Sequence, residues 1–136
     1  MKSFISKLPA YAPVVLRYGF SAVILWFSSQ QFLHNSYWIA YIPDYAVSLT
    51  HISASTLVTL NATFELIFGL MLLIGWQTRL AALLLSLHIF DIMFVVGYSE
   101  IGVRDFGLAI ALLTIFMDGP DQYCIDSRKE PTATTN

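Results

Sequence analysis

LVTLNATFELIFGLMLLIG (residues 57–75), the turn WQTR (76–79) and LAALLLSLHIFDIMFVV (80–96) decide the fold of this chain. At about 1.5 Å rise per residue, roughly 20 apolar residues cross a hydrocarbon core of about 30 Å. The two runs therefore read as a transmembrane hairpin. Each nevertheless carries ionisable residues, Glu65 in the first and His88 and Asp91 in the second. A charge at the bilayer centre costs at least about 2.5 kcal/mol, so Glu65 and Asp91 must face a partner, a cavity or each other.

The composition agrees with a bilayer as solvent. Charged residues are 12% of the 136 positions, about half the usual soluble share of roughly 25%. A soluble bundle needs a polar outer face on every helix, and these runs have none. With a net charge of −2 and no basic stripe, the chain lacks the footprint of a nucleic-acid binder. Cys124 is the only cysteine, which excludes an internal disulfide and a C-x-x-C pair. Phosphate loops, nucleophile elbows and nucleotide fingerprints are absent from the sequence.

Taken in order, Pro9 and Pro13 interrupt the N-terminal stretch that follows Lys2 and Lys7, so it is not read as a secretory signal. Pro13 suits the first turn of a helix, which sets a first span at about 13–33. Arg17, Ser21, Ser28 and Gln31 fall on one face of it, directed at other helices. Residues 34–54 are too polar to span, yet Tyr37, Trp38, Tyr41, Ile42 and Tyr45 give them the aromatic character of a headgroup-level belt. Pro43-Asp44 predicts a short interfacial helix to about Thr50, with Asp44 as its cap. Spans at about 55–76, 79–98 and 103–118 follow, the last closed by Gly119-Pro120. The predicted architecture is an all-α integral membrane protein: one domain over 1–119, a four-transmembrane-helix bundle, then a polar, disordered cytoplasmic tail over 120–136. Lys2, Lys7, Arg17, Arg79, Arg128 and Lys129 fall on or near one side and Arg104 on the other, which places both termini in the cytoplasm.

This topology gathers the intramembrane polar residues into the outer half of the bundle. Asn61, Glu65 and Gly69 recur every fourth residue, and His88 and Asp91 share a face one turn apart. Gln31 closes the first span, while Arg104 and Asp105 open the fourth, one of them turned inward and the other towards the headgroups. If Arg104 pairs with one carboxylate, another acid in low dielectric is expected to keep its proton, which makes a proton-handling site. Plainer roles fit the same residues. Glu65 and Asp91 suit helix-to-helix hydrogen bonds or an ion pair with Arg104, His88 suits a bond to Asp91 or to a carbonyl one turn away, and Arg17 suits a snorkelling anchor. A bis-histidine haem lacks a second histidine at the depth of His88. A metal held by His88, Asp91 and Glu65 has no supporting motif.

Several short motifs carry a family likeness in their order. Leu16-Arg17-Tyr18-Gly19 through Leu25-Trp26-Phe27, then Phe64-Glu65-Leu66-Ile67-Phe68-Gly69 through Gly75, then Thr78-Arg79-Leu80-Ala81-Ala82, and finally Arg104-Asp105-Phe106-Gly107-Leu108 resemble the DoxX family of small prokaryotic membrane proteins. The resemblance covers about 16–118 and implies a four-helix membrane bundle. Some of the relatives it points to, the DoxD-like proteins, are subunits of a thiosulfate:quinone oxidoreductase, and others accompany membrane redox or thiol-stress systems. Glu65, Arg104 and Asp105 are the positions to which the resemblance assigns the family's polar motif.

The resulting expectation is a subunit of a membrane-bound, quinone-linked redox system in the prokaryotic cytoplasmic membrane. Glu65, Asp91 and His88 would exchange protons, and Arg104, Asp105, Asn61 and Gln31 would line the substrate site. No flavin or haem motif accompanies them, so a quinone is the one ligand expected, and electrons require a redox partner subunit. The alternatives are a non-catalytic scaffold or assembly factor and, from the buried acids alone, a proton-coupled transporter that would need a homo-oligomer.

Overall fold

The computed structural model describes residues 8–128. Its long helices are α1 (Leu8–Leu33), α4 (Ala54–Ile74), α5 (Thr78–Val96) and α6 (Glu100–Asp118); between α1 and α4 lie two short ones, α2 (Asn35–Trp38) and α3 (Asp44–Thr50). Turns of 3-10 type cover Ile39–Tyr41 and Asp126–Arg128, and no strand forms among the described residues. Local chemistry sets the boundaries. Ser53 Oγ accepts the Thr56 N–H at 3.2 Å to start α4. The helix stops at Gly75, whose φ of +70° lets the amides of Gly75 and Trp76 return to the carbonyls of Leu72 and Met71. Ser99 caps α6 through the Gly102 N–H at 3.1 Å.

The four long helices run up and down. α5 packs most extensively on α6 and α1 on α4, and contacts of α4 with α5 and of α1 with α6 close the ring. At Gly69 a Cβ would stand 3.0 Å from Leu25 Cδ2, so the missing side chain lets α1 and α4 approach closely. Ile24, Leu72, Leu85, Ile89, Leu112 and Ile115 form the core, with Ala81, Ala82 and Ala109 filling the narrow places. Most of each helix surface faces outward and is apolar. α1, α4 and α5 are long and apolar enough to cross a membrane. α6 is as long as α5 but carries Glu100, Arg104, Asp105 and Asp118.

Several sequence expectations are corrected here. α1 already includes Leu8, with Pro13 inside the helix rather than in its first turn. Only the bond to the Pro9 carbonyl is lost to the missing N–H, close to the helix end where the cost is low. Asp44 does not cap α3, because Pro43 occupies the cap and Asp44 is the first helical residue, where its charge suits the helix dipole. α6 begins three residues earlier than the predicted 103, at the Ser99 cap.

The largest corrections concern Arg17 and the segment after Pro120. Arg17 is no snorkelling anchor: it is 1% exposed and ion-paired to Asp121 at 2.6 Å, and its Nη1 donates to the carbonyls of Leu72 and Leu73 at 3.0 and 2.5 Å. The expected disordered tail is folded from Asp121 to Arg128, while residues 129–136 lie outside the described region. Cys124 is fully buried against Gly75, and Asp126 accepts the amides of Gln77 and Thr78 at 3.0 and 2.8 Å, capping α5 from a distant part of the chain. Burial on its own raises the Asp121 carboxyl, but the Arg17 hydrogen bonds, the Tyr123 amide and the Arg17 charge outweigh it and hold the carboxyl below the ordinary value.

Candidate functional site

At the opposite end of the bundle, where α1 and α5 finish and α4 and α6 begin, a cavity of about 600 Å³ opens among the helices. Its volume lies in the range of small-molecule sites, roughly 300–1,000 Å³. The walls are mainly apolar, with Val58, Phe64, Ile89, Ile92 and Leu108 among them. Trp38, Tyr41, Pro43 and Ala46 from the α2–α3 segment complete the lining. Those aromatics therefore line a cavity where composition alone predicts a belt. Trp38 and Tyr41 stand one helical turn apart, which brings both rings to one side, and their centroids are 5.8 Å apart.

Glu65 is the most enclosed acid of this wall, 2% exposed. Spacing along α4 puts it one turn below Asn61, whose Nδ2 donates to Glu65 Oε1 at 3.1 Å. From α1, Gln31 Nε2 donates to Glu65 Oε2 at 2.6 Å, and Asn61 Nδ2 also donates to Gln31 Oε1 at 2.7 Å. Both carboxyl oxygens thus have a donor, and the network bridges α1 and α4. His88 reaches in from α5, its Nε2 3.7 Å from Glu65 Oε1 and buried without a hydrogen-bond partner. The His88 ring lies against Phe64, centroids 4.6 Å apart, which sets its orientation. The expected bond between His88 and Asp91 is not made. Residues three apart on a helix differ by about 60° around its axis, so His88 turns to α4 while Asp91 stays exposed at the cavity's edge with no ion pair or hydrogen bond to the described residues.

On α6, Asp105 points inward, 3% exposed, and Arg104 turns out. They remain paired, because Arg104 Nε donates to Asp105 Oδ1 at 2.8 Å and Nη2 stands 2.7 Å from the same oxygen as an ion pair. The guanidinium also lies over the Phe27 ring, 4.8 Å from its centroid. All seven sequence-predicted site residues, Gln31, Asn61, Glu65, His88, Asp91, Arg104 and Asp105, line this one cavity. They divide into the amide-held Glu65 with His88, the Arg104–Asp105 pair, and the solitary Asp91. No group of three metal-ligating side chains occurs among the described residues. Phe27, Trp38, Tyr41 and Phe64 line it as well, although sequence favours a belt over a ligand box for the outer-loop aromatics; the one-turn spacing of Trp38 and Tyr41 and the adjacency of Phe64 to Glu65 are the signals that point to them.

A helical membrane protein with a largely apolar, acid-lined cavity sunk into one end of its bundle is the class that this fold and site define. The chain belongs to the DoxX family, whose model matches residues 12–98. That match runs from the first turns of α1 through α5; Glu65, His88 and Asp91 fall within it, and Arg104 and Asp105 beyond it. No curated protein and no solved structure matches the chain.

Proposed function

We propose that this protein is a subunit of a membrane-bound, quinone-linked redox system and that the cavity receives the quinone head. The observation that carries this reading is Glu65, fixed by two amides at the wall of a mainly apolar cavity with the unpartnered His88 Nε2 beside it. Reduction of a quinone to a quinol takes up two electrons and two protons, so a site for it needs an apolar slot and a proton source at each oxygen. The electrons come from a redox partner subunit, because the chain carries no redox motif of its own. His88 and Arg104 supply N–H groups for the quinone oxygens, and Glu65 and Asp91 give and take the protons. In this reading α6 is a fourth span, supported by its long packing on α5, and the cavity end faces away from the cytoplasm. Both termini then lie on the inner side of a prokaryotic cytoplasmic membrane.

Quinol formation in native membranes is the test. Glu65→Gln is expected to abolish it while the protein still folds, and normal turnover would remove Glu65 as proton carrier. One observation favours a scaffold instead: the Gln31–Glu65–Asn61 network also ties α1 to α4. Under that reading Glu65→Gln lowers thermal stability in detergent, and the purified protein binds no quinone.

A further inference from the structure

The charge balance of the cavity points to a second class of ligand. Three carboxylates line it, Glu65, Asp91 and Asp105, against one guanidinium, Arg104. Arg104 is already committed to Asp105, and the amides of Gln31 and Asn61 add no charge. Asp91 has no counter-ion among the described residues, in a cavity that the side chains of Phe27, Trp38, Tyr41 and Phe64 also line. A cation is drawn to a carboxylate more strongly where apolar walls displace water, and aromatic faces add to that attraction. Phe27 already takes part in such a contact, with Arg104. An anion of the same shape meets the opposite field.

We propose that the cavity binds small lipophilic organic cations, with Asp91 as their counter-ion and the aromatic wall as their apolar surface. This rests on the same reading of the cavity as an open ligand site, but it names a ligand that a quinone site does not require. The cavity's volume of about 600 Å³ accommodates a bulky cation such as tetraphenylphosphonium, which crosses apolar surroundings because its charge is spread and shielded.

Tetraphenylphosphonium and its shape-matched anion, tetraphenylborate, make the test, with equilibrium dialysis against the full chain in detergent and empty micelles as blank. The expected result is saturable binding of the cation, no saturable binding of the anion, and at least a tenfold loss of cation affinity in Asp91→Asn. Asp91 is exposed, so that variant should fold; Trp38→Ala is a second variant expected to weaken binding, and the cation–anion comparison needs no variant. Equal binding of both ions, or undiminished binding in Asp91→Asn, overturns the proposal. A short-chain benzoquinone in the same dialysis separates the two readings. Quinone bound without the cation refutes this inference and leaves the redox reading standing, whereas cation bound without quinone does the reverse.

Discussion

The two ends of the bundle bury comparable charge and treat it in opposite ways. At the end closed by residues 121–128, Arg17 has Asp121 and two carbonyls, Asp126 takes two backbone amides, and Cys124 fills the remaining space. At the other end Glu65 is held by amides, but His88 Nε2 lacks a hydrogen-bond partner and Asp91 stands alone beside a cavity. An intramembrane charge signals only that some partner is needed. A charge whose hydrogen bonds the protein completes can serve structure alone, as Arg17 and Asp121 do, whereas Asp91 and the His88 Nε2 beside Glu65 have bonds left to make among the described residues.

Substitutions at the two ends should therefore separate. Arg17→Met leaves Asp121 buried without its cation, and breaking such a pair costs about 3–5 kcal/mol. A large fall in detergent melting temperature is expected, and a change within error would show the closed end to be unimportant for stability. The pH dependence follows from the same pair. Asp121 is held below its ordinary value, so its contribution is fully present above about pH 4 and is lost as pH falls through the lowered value. Acid scans of the melting temperature should show this loss in the wild type and a weaker one in Asp121→Asn. Asp126→Ala uncaps α5 and should cost about 1 kcal/mol, read from the same melts.

At the cavity end the stability effects shrink while the functional ones grow. Glu65→Gln keeps an acceptor for one amide and sets a donor against the other, a loss of about 1–3 kcal/mol, yet quinol formation should disappear. Asp91→Asn touches no partner and should leave the melt within about 0.5 kcal/mol of wild type. A melt lowered as much by Asp91→Asn as by Arg17→Met would erase the contrast between the ends.

The hairpin was legible because its runs are long and its stop is chemical: α4 and α5 lie within two residues of the predicted 55–76 and 79–98, with Gly75 in the left-handed turn between them. Gathering the polar residues at one end was also legible, since short connections force neighbouring helices to alternate direction. Partnership was not. Arg17 and Asp121 are 104 positions apart, and nothing in a periodic pattern says that a chain returning after α6 will fold beneath the first helix. The error over His88 and Asp91 has the same origin, since spacing shows that two residues share a face but not where the neighbouring helix divides it. Trp38 and Tyr41 suggest a membrane belt from sequence because aromatic composition alone does not distinguish a headgroup layer from a cavity wall.

Photolabelling asks whether a quinone binds in the cavity. A photoreactive short-chain benzoquinone is added to the protein in native membranes, and the labelled residues are mapped by mass spectrometry with and without excess unlabelled quinone. Labels displaced by the competitor are expected on cavity residues such as Trp38, Phe64 and His88. Labelling confined to outward-facing residues such as Phe94 and Met117, unaffected by competitor, would contradict it.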